Sequence, residues 1–207
     1  MNEITVHALT KSAKLNYCIV FYEIHPEEAF IFINKRKFDT LCKYGCTNYG
    51  FKWSCPPYAP SFSSFVTGFR YLYVMFFYTD MAQYSYIDNN YLKIKAANSI
   101  LKSRADRFLC TISPKYGRHI SAGSCRLCKP CKRKLDERCA KPEKMTYSYE
   151  ALGIDVNQLV ENCFQKSLQW YKPRCLPAYT SVVCGLLTNE TIKIEELQIK
   201  YSEIILD

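Results

Sequence analysis

Histidine is scarce in this chain of 207 residues: His7, His25 and His119 are all it has. A hydrolytic zinc site built from several imidazoles is thereby excluded. The sequence also lacks a G-x-x-x-x-G-K-[ST] run and a G-x-G-x-x-G run, so neither phosphate-cradling loop is supported. No apolar stretch comes near the roughly 20 residues that a membrane span needs; the most apolar one, Tyr71 to Tyr78, is far shorter. Met1 to Glu23 shows no basic, apolar and small-residue succession of the secretory kind. Repeats of fixed period and low-complexity tracts are missing too. The expected setting is therefore the reducing cytoplasm, with no membrane partner. There, clustered cysteines read as metal ligands or catalytic groups before they read as disulfides.

Against these absences stand twelve cysteines, 15% aromatic residues and 48% hydrophobic residues. That much apolar material builds a genuine core, so a metal need not be the only thing holding the chain together. A single cysteine-rich metal-binding domain over residues 1–207 is expected, with a first cysteine motif at 42–58 and a second at 122–156.

The second motif, Cys125-x2-Cys128-x2-Cys131-x7-Cys139 followed by Pro142, is the most specific signal in the chain. Short spacers let a loop entered at Ala122-Gly123-Ser124 coil round one centre and present three sulfurs to it, and Cys139 closes the site. The first three spacings match the start of the run that wraps a bacterial iron–sulfur cube, although the x7 step departs from that run. A 4Fe-4S cluster is the favoured occupant. Zinc, which four thiolates satisfy equally well, is the alternative; three equally spaced cysteines are unlike two separated Cys-x2-Cys knuckles.

The first motif is Cys42-x3-Cys46-x8-Cys55-Pro56-Pro57, in a Gly- and Pro-rich stretch with Tyr44, Tyr49, Phe51, Trp53 and Tyr58 interleaved as a possible aromatic lid. Its spacing is not that of radical enzymes that use S-adenosylmethionine. Three ligands leave two options. Either one of Cys18, Cys110, Cys163, Cys175 and Cys184 completes a second cluster, or one iron stays open to substrate or water. Cys175, between Pro173 and Pro177, is the best placed of the five. Cys18, Cys110, Cys163 and Cys184 lie in apolar runs or on an apolar helix face and read as core thiols. His119, six residues before Cys125, either reaches the cluster or faces water from a loop, the second being favoured. Glu150 and Asp155 flank a helix break beside the second motif; capping explains Asp155, and proton handling is the alternative.

The formal charge of +9 is concentrated. From Cys125 to Lys144 there are eight basic residues against Asp136, Glu137 and Glu143, a balance of +5. Cations interleaved with thiolates offset the charge of a cluster and tune its potential, Arg126, Lys129 and Lys132 foremost. They also suit an acidic redox partner protein. A nucleic-acid surface is the less favoured reading.

Along the chain, Thr5 to Leu9, Tyr17 to Ile24, Phe69 to Tyr78 and Ser181 to Leu187 predict strands from their β-branched and aromatic content. Cys42 to Pro60 reads as irregular. Asn89 to Phe108 predicts an amphipathic helix, with Phe108 to Ile112 a further strand and a loop through Gly117 and Gly123. Ser148 to Leu152 predicts one helical turn, and Asp155 caps a helix running to about Trp170. Ile192 to Ile205 fits either element. The fold class is α/β or α+β, a mixed sheet with packed helices and two cysteine-rich metal-binding loops.

Cys42-Lys43-Tyr44-Gly45-Cys46 through Trp53-Ser54-Cys55-Pro56-Pro57-Tyr58 resembles the first signature of the predicted metal-binding proteins grouped as domain of unknown function 2284, a family of bacteria and archaea, many of them anaerobic. Ala122-Gly123-Ser124-Cys125 through Cys139 and Pro142, continuing to Val156, resembles its second. The likeness runs from Leu41 to Trp170; a serine after Gly123 stands where the pattern has proline. The resemblance implies presumed metal or iron–sulfur binding through Cys42, Cys46 and Cys55 and through Cys125, Cys128, Cys131 and Cys139, and carries over no reaction. Three functions are expected in this order: a cytoplasmic iron–sulfur protein with one or two clusters handling electrons in anaerobic metabolism, a redox enzyme with an open iron at Cys42/Cys46/Cys55, and a zinc-stapled binding or scaffold protein.

Overall fold

The computed structural model describes residues 3–9, 13–172 and 175–206. Its centre is a five-stranded sheet in the order β1-β2-β3-β5-β4, with every named pair antiparallel. β1 (Glu3–Leu9) pairs with β2 (Lys14–Ile24), placing Val6 opposite Tyr17. β3 (Tyr71–Asp80) lies between β2 and β5 (Tyr179–Thr188), with Val20 opposite Phe76 and Met75 opposite Cys184. β4 (Gly117–Ile120) closes the far edge against β5.

The continuous apolar run of β3 follows from cover on both sides: Leu72 through Phe77 are all fully buried. Leu72, Val74 and Phe76 face one core with Phe62, Leu152, Leu159 and Phe164. Tyr73, Met75 and Phe77 face the other with Leu101, Phe108, Leu197 and Tyr201. This alternation is the two-residue period of a strand with helices on each face. The expected class, helices packed on a sheet, therefore holds.

The two faces are built differently. One carries the long α3 (Asn90–Tyr116) and α6 (Ile194–Leu206). The other carries a 3-10 segment (Pro26–Phe32) and three short helices, α2 (Phe62–Val66), α4 (Tyr149–Leu152) and α5 (Val156–Phe164). α1 (Lys35–Gly45) packs outside these and buries none of its residues.

Several expectations change. Phe108 to Ile112 is helix, not strand: Phe108, Leu109 and Ile112 continue the buried stripe of Leu101 and Ala105 at helical spacing, and α3 runs on to Tyr116. Gly117 then lets the chain reverse into a strand where a loop was expected. Its φ is +151°, and a Cβ there would meet the Leu187 carbonyl oxygen at 2.1 Å. Cys42 to Gly45 is not irregular but the last turn of α1. The helix caps on the Asn34 side chain, which accepts from the Lys37 N–H. Asp155 caps α5 as expected, but the helix stops at Phe164 because Gln165 is left-handed, at φ 53°. The ambiguous C-terminal stretch is helical.

Candidate metal centre

The two cysteine motifs arise from different supports. Cys42 and Cys46 lie one turn apart at the C-terminal end of α1, where the Cys46 N–H donates to the Cys42 carbonyl at 3.1 Å. Cys55 follows in a chain of tight turns, its N–H donating to the Lys52 carbonyl at 3.1 Å, just before the cis Pro56–Pro57 bond. Cys46 is exposed, Cys42 half-buried and Cys55 buried. The second motif occupies the long connection between β4 and α4, with a cis Lys129–Pro130 bond and a short 3-10 turn at Lys132–Leu135 between its third and fourth thiols.

These loops are locked to each other. The Lys52 ammonium donates to the Ser124 hydroxyl at 2.9 Å and to the Cys125 carbonyl at 3.1 Å. The Cys125 N–H donates back to the Ser54 hydroxyl at 3.1 Å. The Trp53 indole N–H reaches the Glu137 carbonyl at 2.9 Å. Arg133 lies over both Trp53 and Tyr58, 5.5 and 4.9 Å from the ring centroids, and the two rings meet edge to face. The flanks are joined too: the Asn34 N–H donates to the Gly153 carbonyl at 2.7 Å, and Lys37 pairs with Asp155 at 2.8 Å. Gly153, at φ +93°, lets α1 cross so closely that a Cβ would lie 2.8 Å from the Lys35 Cα.

Cys125, Cys128, Cys131 and Cys139, all half-buried, line one small hollow of about 20 Å³ beneath Trp53 and Ser54. Among the described residues no group of three or more His, Cys, Asp or Glu side chains is gathered in a way that would grip a single metal ion. Four soft thiol donors round one hollow form a chemically apt set for a thiolate-ligated cluster or for zinc.

The first triple is electrostatically crowded. The Cys42 thiol is pushed up to about 11 by burial, then by neighbouring Cys46, Cys55, Glu150 and Asp39. Burial also raises Cys55, with Cys46 and Cys131 adding to the rise; the Ser54 hydroxyl and the Lys52 ammonium pull against it. Cys55 thus feels thiols of both motifs. Groups held protonated by crowding must release protons when they take a cation.

Other candidates fall in different places. Cys163 and Cys184 are core thiols, as expected; burial raises the first to about 12 and the second well above its usual value. Cys110 is not a core thiol: it is exposed on the outer side of α3. Cys18 is half-buried beside the Thr5 hydroxyl, 3.6 Å away. Cys175 is exposed, bridged to Lys172, and its neighbour Pro173 lies outside the described residues. His119 does not face water from a loop. It is buried in β4, where its Nδ1 meets the Ser113 hydroxyl at 2.9 Å. The aromatic lid is partial: Trp53 lines the hollow, whereas Tyr44 and Phe51 are exposed. Lys132 pairs with Glu137 at 2.8 Å and Arg126 with Asp106 at 3.7 Å, so the basic strip is partly neutralised. Lys52 and Ser54, the tie between the loops, were not singled out in the sequence. The clue to them is their adjacency to Cys55.

A sheet protein that interlocks two cysteine-rich loops on one flank is the class defined by this architecture. The chain belongs to the family described as Predicted metal-binding protein (DUF2284), whose model matches residues 28–187. The match is wider than the Leu41 to Trp170 likeness and contains both motifs. No curated protein and no solved structure matches the chain.

Proposed function

We propose that this metal-binding protein holds an iron–sulfur cluster at Cys125, Cys128, Cys131 and Cys139 and serves as an electron carrier or redox accessory. The observation that carries the reading is the single hollow lined by all four thiols of the second motif. When bound, such a cluster supplies one-electron transfer at a potential set by its surroundings. The chain's own contribution is positional. Lys52, Ser54 and Trp53 clamp the loop from the opposite side, fixing where the thiols point. The Trp53 ring shields the hollow from water, while Lys132 and Lys141 at its wall offset thiolate charge. The exposed cations around it suit an acidic redox partner.

A second reading is favoured by one observation: Cys42, Cys46 and Cys55 crowd together with Glu150 close enough to act on Cys42. A three-thiol site of that kind leaves a position for substrate, which makes the protein a redox enzyme instead of a relay.

Purification without oxygen, followed by iron, acid-labile sulfide and zinc determination, tests the proposal. Iron with matching sulfide and broad visible absorbance is expected, and Cys128→Ser is expected to lose most of both. A colourless, sulfide-free protein with stoichiometric zinc overturns it. Retention of a substoichiometric cluster in Cys128→Ser, lost in Cys46→Ser, shifts the assignment to the first triple.

A further inference from the structure

A second cavity adjoins the thiol hollow. About 720 Å³ in volume, it runs along the free edge of β4 between the outer side of α3 and the segment around Met145. Cys125, Leu127 and Met145 belong to the walls of both spaces, so the cavity abuts the four-cysteine loop. Its size is that of a small-molecule site.

The walls combine apolar surface with few polar groups, and one of these is unusual. Arg118 lies with its guanidinium 4.3 Å from the centroid of the Phe65 ring, and no carboxylate pairs with it among the described residues. His119, nine-tenths buried, leaves the strand on the opposite face from Arg118, where its Nδ1 meets the Ser113 hydroxyl. The other charges are accounted for: Asp106 faces Arg126 at 3.7 Å, and Glu143 and Lys144 are both exposed at the mouth. A stacked guanidinium with free N–H groups, set at the wall of an apolar cavity, is a fork for a planar oxyanion.

We propose that this cavity binds a small, largely apolar carboxylate, with its body against Pro114, Ala122, Leu127 and Met145 and its anionic end on Arg118. This site does not depend on which metal the thiols hold, and it adds a ligand position against the Cys125 wall to the metal-binding role.

The test is calorimetric titration of the protein, as isolated without oxygen, with cinnamate and with its uncharged isostere cinnamamide, metal content being measured on the same samples. Saturable binding of one cinnamate per chain is expected. Arg118→Gln should weaken cinnamate about tenfold or more, the loss of a charge-assisted pair, while leaving cinnamamide within about twofold. Because Arg118 also stacks on Phe65, Arg118→Lys serves as a second variant; it keeps the charge and is expected to recover part of the cinnamate affinity. Cys110→Trp, from an exposed position on the wall, should block both compounds. The proposal is overturned by unsaturable cinnamate binding, by equal weakening of acid and amide in Arg118→Gln, or by undiminished binding in Cys110→Trp. Normal metal content alongside any of these results leaves the metal-binding role standing.

Discussion

The two faces of the sheet solve the same packing problem with different materials. On one, α3 and α6 press a continuous stripe against β2, β3 and β5, and Tyr201 packs on Phe77 and Phe108 while its hydroxyl meets that of Tyr17 at 2.7 Å. On the other, four short helical pieces cover the sheet, and the cysteine loops hang from their ends. The first face draws its stability chiefly from apolar area, with the buried Tyr17–Tyr201 hydroxyl pair inside it. The second adds polar ties between its loops to the apolar packing beneath them.

The sharpest way to break this contrast is to empty the helical face. Phe108→Ala removes a fully buried ring between Phe21 and Tyr201 and should cost about 3–5 kcal/mol by denaturant unfolding. Metal content per folded molecule should be unchanged. Metal loss in that variant at full folding would show that the faces are not separable in this way.

His119 comes next. Burial, with Arg118 adding to it, lowers this imidazole to about 4 from 6.5, so the folded chain keeps it neutral. Between those values the unfolded chain takes up a proton that the folded one refuses. Stability is therefore complete above pH 6.5 and falls as the pH drops toward 4, by up to a few kcal/mol. His119→Gln should flatten that limb of a stability–pH curve, and an unaltered slope would count against the buried neutral imidazole.

Asp155 tests the tie between the loop-bearing helices. Burial raises its pKa, but the Lys37 ammonium and the Gln158 and Asn157 N–H groups outweigh it, leaving the carboxyl below its usual value. That stabilisation is present above the ordinary carboxylate range and disappears as the pH falls through the lowered value. Asp155→Ala should cost about 1–2 kcal/mol near neutral pH, as a lost cap and a lost ion pair. The smallest expected effect is that of Trp53→Phe, which deletes the bond to the Glu137 carbonyl. About 1 kcal/mol is expected, read as faster amide exchange confined to residues 125–139. Faster exchange in α3 and α6 as well would mean that the lock supports the whole molecule.

The sheet was largely legible in the sequence because β2, β3 and β5 carry the β-branched and aromatic runs that a covered strand requires. The cap at Asp155 was legible as well, since a short polar side chain before an apolar run has one favoured use. α1 was not: Phe38, Leu41 and Cys42 recur at helical spacing, but the glycines and prolines that follow them marked the stretch as irregular. Phe108 to Ile112 misled because a short apolar run fits either period until its partners are known. For the site, cysteine spacing shows which thiols belong together in the loop. It does not show that a lysine and a serine from the other motif hold that loop in place, because such contacts have no period and no fixed separation.

The cross-loop clamp has a consequence for the order of biosynthesis. Ser54 is made 71 residues before Cys125, the amide it captures. Translation therefore delivers Cys42, Cys46 and Cys55 well ahead of every group that will hold their loop, and the thiols emerge from the ribosome unclamped. A metal arriving during synthesis would meet the first triple alone, because all four thiols of the second motif follow it, Cys139 last.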